Sequence, residues 1–242
     1  LVTRTTALTA VTFGILTFSA LSPAFAQDAK AIIAKSIAAY SNLKTYQADL
    51  TMEQTGPQGK SKTTIALKKS GEKMFSKITT SAPTQMGKNI TSVTDGKTIT
   101  LYMGDMKQYM KMPVSPMTKQ MMNDAIMPNS IMKKVAQEGT VKKLADGNMN
   151  GKPTFVLESS DSKQPNSPKT RLYIDKATSR LVKIEGTAPA ANPMGGGSMT
   201  LLFRNEKINA AIPASAFVFT PPKGAKAMAN PMGGGGAPGG GR

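Results

Sequence analysis

The chain has no cysteine, no histidine and no tryptophan, and aromatics make up only 5% of its 242 residues. Without cysteine there are no disulfides, so a fold of this length must be held by its own apolar core. Without histidine there is no imidazole acid–base chemistry, no serine–histidine triad and no histidine-ligated zinc. The 14 acidic residues are scattered, many at turn positions such as Asp95, Asp105, Asp146 and Asp175, and no spacing pairs them for catalysis. An enzyme is not the expectation. Arginine is also scarce: all but five of the 31 basic residues are lysine, and none of the arginines lies between Arg4 and Arg171. Nucleic-acid recognition favours arginine forks and stacking aromatics, so the formal charge of +17 points to an anionic membrane surface rather than to nucleic acid.

The segment "LVTRTTALTAVTFGILTFSALSPAFA" has a basic start at Arg4, an apolar run from Ala7 to Leu21 and Ala24-Phe25-Ala26 as a small-x-small cleavage site. That order is a secretory signal peptide, and its run falls short of the about 20 apolar residues a membrane span needs. Cleavage after Ala26 leaves a mature domain over residues 27–223. No cysteine follows the cleavage site to carry a lipid. Residues 224–242, "GAKAMANPMGGGGAPGGGR", are Gly, Pro and Ala without periodicity and are predicted to be disordered. The heptamer "ANPMGGG" occurs at 191–197 and again at 229–235, as slipped low-complexity sequence does.

From Asp28, placed as an N-cap, Ile32/Ile33, Ile37, Tyr40 and Leu43 recur at helical spacing and predict one amphipathic helix. The period then changes to two. Tyr46, Ala48, Leu50 and Met52 fall on one face, and Thr63, Ile65 and Leu67 face inward on the next segment. Asp95-Gly96, between "KNITSVT" and "KTITLYM", is the strongest hairpin signal. Eleven antiparallel strands follow from this grammar. They are interrupted between Pro116 and Gln137 by a helical insert broken at Met127-Pro128.

Between Met103 and Met127 stand eight of the 17 methionines. Methionine fills irregular cores, and it is also over-used where an apolar surface must adapt to varied partners. A third reading is soft-sulfur binding of Cu(I) by Met106, Met110 and Met112 along one strand. Burial accounts for the same alternation without metal, so no cofactor is assigned.

The order of a helix, strand hairpins, "VTDGKTITLYMGDMKQYMKMP", an insert, "KTRLYIDKATSRLVKIEGT" and "IPASAFVFTPPKGA" resembles the LolA/LolB-type superfamily of periplasmic lipoprotein carriers. The resemblance implies a mainly β, half-open antiparallel β-barrel of about eleven strands with a helical lid. It implies an apolar cavity for acyl chains of lipoproteins or lipids, moved between membranes, with membrane-protein donors and acceptors and transient contact with a membrane surface. On that basis Ile65, Leu67, Leu101, Met103, Met110, Phe155 and Leu157 line the sheet side, and Met117, Met121, Met122 and Met132 face the cavity from the lid. The same scaffold also serves sensor domains. The arginine clasp of the carriers has no counterpart here: Lys68, Lys69 and Lys73 occupy that region, and lysine lacks the planar fork.

Overall fold

The computed structural model describes residues 22–57, 59–82, 84–119, 127–138, 140–160, 169–188 and 197–228. Helix α1 spans Ser22–Ala39 and α2 spans Pro128–Glu138. The strands are β1 (Thr45–Gly56), β2 (Gly59–Ser70), β3 (Lys73–Thr80), β4 (Asn89–Thr94), β5 (Thr98–Met103), β6 (Gln108–Pro113), β7 (Thr140–Lys143), β8 (Gly147–Met149), β9 (Lys152–Ser160), β10 (Lys169–Asp175), β11 (Leu181–Ala188), β12 (Gly197–Ile208) and β13 (Lys226–Ala227). A 3-10 turn covers Ala214–Phe217.

All eleven expected strands form, and β8 and β13 raise the number to 13. They make one sheet in the order β13-β6-β5-β4-β3-β2-β1-β12-β11-β10-β9-β7, with β8 also on β9. The sheet does not close: β6 with β13 forms one edge and β7 with β8 the other. The first six strands meander outward; the chain then passes through the helical insert to the far edge and meanders back until β12 lies against β1. β13 is the exception to antiparallel pairing, running parallel to β6. Beside it, Lys226 and Met228 donate backbone bonds to Lys107 and Tyr109. Residues 229–242 lie outside the described residues.

The Asp95-Gly96 turn forms as read. Asp95 Oδ1 accepts the amides of Lys97 and Thr98, both at 2.8 Å, and Gly96 takes φ +97°. Asp28 is not an N-cap, because the helix starts a turn and a half earlier and runs through it. Among the described residues no helix is long and apolar enough to cross a membrane.

The helices lie on one face of the sheet. Ala29, Ile32, Ile33, Ser36 and Tyr40 are the buried stripe of α1, at spacings of three and four. With Met127 and Met132 they pack on Leu50, Leu67, Leu157, Leu172, Ile174, Leu181 and Phe203. Polar bonds pin the C-terminal end of α1. Tyr40 and Tyr46 donate to Glu206 Oε1 at 3.1 and 2.9 Å, and Tyr40 Oη accepts the Leu181 amide at 3.1 Å. Arg180 Nε stands 3.6 Å from the other carboxylate oxygen. Burial, then the neighbouring Glu206 charge, pushes both tyrosine hydroxyls up, so they remain donors.

Burial also holds the Glu206 carboxyl above its ordinary range, against the opposing pull of the tyrosine bonds and Arg180. A carboxyl with a raised folded pKa stabilises fully below its unfolded value and loses that contribution as pH rises through the folded one. Glu206→Gln should therefore gain on the wild type in melting temperature between about pH 4 and pH 7. Thermal melts across that range check this; a pH-independent difference between the two proteins refutes the assignment.

Candidate functional site

Antiparallel register carries side chains across the sheet in rows, because directly opposed residues share a face. On the helix-bearing face one row runs Met103–Ile90–Ile78–Ile65–Leu50–Phe203. The next runs Met110–Leu101–Ser92–Ser76–Leu67–Ala48, and a third Met112–Ile99–Thr94–Met74–Lys69–Tyr46. Across β12, Leu157, Leu172, Ile184 and Leu201 continue the surface.

Ile65, Leu67, Leu101, Met103 and Met110 are thus brought together in two adjacent rows. Leu67, Leu157 and Met132 are fully buried in the core under the helices, with Ile65 and Phe155 packed at its border. Met103 is 3% exposed and, like Ile90 and Ile99, is buried apart from that core. Leu101 and Met110 are half-buried. Met117 is the correction: it is 73% exposed and does not face inward. The helical turn at 116–119 is rotated by its anchors. Ser115 Oγ accepts the Thr118 amide at 3.1 Å, and Lys119 Nζ reaches Glu72 Oε1 at 2.7 Å. Met121 and Met122 lie outside the described residues. Met106 is not on a strand with Met110 and Met112; it sits in the turn before β6, 46% exposed, which breaks up the expected line of three sulfurs.

Two features of this face escaped the sequence reading. The middle row holds Ser76 and Ser92 between Leu67 and Leu101, where period-two alternation would put large apolar residues. Ser76 is 4% exposed and Ser92 is half-buried. The second is a groove of about 540 Å³ between the helices and β7, lined by Lys30, Ile33, Ala34, Ile37, Ala136, Thr140 and Val141. The α1 stripe signalled Ile33 and Ile37, but read as core rather than as a wall. A volume of that order lies within the range of small-molecule sites, about 300–1,000 Å³.

At the rim, Lys69 is half-buried and desolvation lowers its ammonium pKa, against the opposing Glu72 charge. Glu72 sits in the β2–β3 turn against Gly96, where a Cβ would come within 3.0 Å of the Glu72 Cβ. The Lys119 bond draws the Glu72 carboxyl below its usual range. The Lys119–Glu72 ion pair is exposed, a weak tie between insert and sheet. Beneath the helices, Ser36 Oγ and Asn129 Oδ1 are buried without a hydrogen-bond partner.

Residues 27–229 match the family described as "Predicted periplasmic protein (DUF2092)". The chain belongs to this family. It is a periplasmic protein. An uncharacterized protein of Methanocaldococcus jannaschii, MJ0687, is 30% identical over 138 residues; that match spans 57% of this chain and 37% of the relative. Solved structures of similar fold include the Mycobacterium tuberculosis lipoprotein LppX, with TM-score 0.49, 12% identity, 77% of this chain and 98% of that one covered. A LolA superfamily protein of Nitrosomonas europaea, NE2245, aligns at TM-score 0.33 and 13% identity over 79% of this chain and 97% of that one.

If the Lys119–Glu72 pair is a latch rather than a structural strut, Glu72→Gln should leave the melting temperature unchanged within error. Hydrogen exchange of the amides at 115–119 should become faster. Unchanged exchange there excludes the latch.

Proposed function

We propose that this periplasmic protein is a carrier that binds acyl chains of lipoproteins or lipids on the helix-bearing face and moves them between membranes. The observation that carries the reading is the pair of rows that extends the helix-bearing face beyond the covered core, where Leu101 and Met110 are half-buried beside adaptable Met103 and Met112. The signal peptide directs export and is removed by cleavage after Ala26. The driving force is burial of methylenes, roughly 0.8 kcal/mol each, so a chain of about fourteen carbons gains on the order of 10 kcal/mol before ordering costs. That gain works against the cost of moving the cover. The cover divides into a fixed and a yielding part. α1 is pinned through Tyr40 to Glu206, whereas the insert begins on an exposed ion pair. Separating α2 from the sheet returns Asn129 Oδ1 to water, which lowers the cost of opening. The Lys30 ammonium at the groove between the helices suits an anionic head group, a salt-sensitive attraction. The role is binding and delivery, not catalysis.

A second reading, an envelope sensor or interaction module, is favoured by one observation. α1 and α2 already fill the half of the face around Leu67, Leu157 and Leu172, which reduces the room for a guest. Purification from the periplasm under mild conditions, native mass spectrometry and analysis of what is released on denaturation distinguish the two. The carrier predicts near-stoichiometric lipid or lipoprotein, and Leu101→Glu with Met110→Glu, which put charge on the half-buried end of the rows, should abolish its recovery without unfolding the protein. A ligand-free wild type that also takes up no fatty acid from solution removes the carrier reading.

A further inference from the structure

The opposite face of the same sheet carries a second groove. After β12 the chain crosses to that face. Phe217 of the 3-10 turn is buried there against β3, and Phe219 stacks on Tyr102 and Tyr109 with ring centroids 5.9 and 5.4 Å apart. The strap then runs through Pro221 and Pro222 to the β13 pairing at the sheet edge. Between strap and strands lies a space of about 640 Å³, lined by Phe75, Lys77, Val93, Tyr102, Val218 and Phe219 among others. Its floor is apolar and aromatic: Phe75 opposes Val93 across β3 and β4, and Tyr102 follows on β5. Val218, on the wall, is 66% exposed.

Cations predominate around it. Lys68 Nζ stands 5.7 Å over the Phe75 ring, Lys77 lines the groove, and Lys111 continues the Phe75–Val93–Thr100 row at the edge. Neither Lys77 nor Lys111 has an ion-pair partner among the described residues. The acidic residue on the lining, Asp105, is occupied by the Lys88 amide and by Asn89 Nδ2. On the β9–β11 part of the same face the charges are matched instead. Arg171 pairs with Glu158 at 3.1 Å, and Lys183 pairs with Glu185, which also accepts the Tyr173 hydroxyl at 2.6 Å.

We infer that this outer groove docks an extended acidic segment of a partner protein, one apolar or aromatic side chain filling the Phe75–Tyr102–Phe219 floor and flanking carboxylates meeting Lys68 and Lys77. Concavity favours a peptide over a membrane, since a flat bilayer surface does not fill a cleft behind the strap. The groove lies across the sheet from the helix-bearing face, so a docked partner leaves that face unobstructed. The inference stands whether or not that face carries an acyl chain.

Fluorescence anisotropy of the full mature chain with a labelled Asp-Glu-Asp-Leu-Phe-Asp-Glu-Asp peptide tests it. The expected result is saturable binding, weakened about tenfold or more by Lys77→Glu and by raising salt from about 0.05 to 0.5 M. Lys77 is exposed, so the variant should fold; Thr91→Glu, between Lys77 and Tyr102 in the row, adds a negative charge to the groove and should weaken binding likewise. Absence of binding overturns the inference, as does equal binding of a peptide with lysine for every acid, or binding insensitive to both variants. Flotation with phosphatidylglycerol vesicles without peptide binding also overturns it, in favour of membrane docking.

Discussion

The period-two alternation of a β-strand, locked in register across six consecutive strands, underlies the rest of this molecule. Because Met103 opposes Ile90, Ile90 opposes Ile78 and Ile78 opposes Ile65, one apolar row is carried from β5 to β2, toward the middle of the sheet. The same registers place Lys68, Phe75 and Val93 together on the reverse side. A slip of one residue anywhere in this series would exchange the two surfaces and bury lysines. The sheet is therefore both the scaffold and the partition between an oily face and a cationic one.

The two faces are covered by different means, and the means set what each can do. Helices cover the apolar face. α1 is held by its buried stripe and by the tyrosine pair on Glu206, while the insert begins on a capped turn and one surface ion pair. Such a cover has a stiff side and a yielding side, which suits a guest that enters by displacement. The β3–β6 part of the other face is covered by a single strap, whose two prolines donate no backbone hydrogen bonds and which is attached through Phe217, Phe219 and the short β13 pairing. A strap of that kind leaves a cleft beside it rather than sealing the surface.

Much of this was legible from local pattern. Alternation put Ile65 with Leu67 on one face of their strand and Leu101 with Met103 on one face of theirs, and the register rows bring both pairs together with Met110. Met117 was not legible in this way, because helical phase in a short insert is decided by its anchors, here Ser115 and Glu72, rather than by its own apolar residues. Met106 was counted as strand because alternation does not distinguish the last residues of a turn from the first of a strand. Ser76 and Ser92 carried no signal as single residues; a polar residue at an inward position gains its meaning from its neighbours across the strands.

What the amino-acid order determined by itself is what depends on near neighbours: strand alternation, the Asp95-Gly96 turn, the α1 stripe, and the absence of chemistry that needs histidine or cysteine. Tertiary structure alone decided which edges stay open, that the return from the insert reaches the far edge, and that Tyr40 meets Glu206 across 166 positions. It also decided that Phe219 lies on Tyr102 and Tyr109, making a groove where the strands by themselves show only alternating lysine and aromatic residues. The physical reason is range. Backbone geometry imposes its period over a few residues, whereas a cleft is made by segments that meet only after the chain has closed long loops.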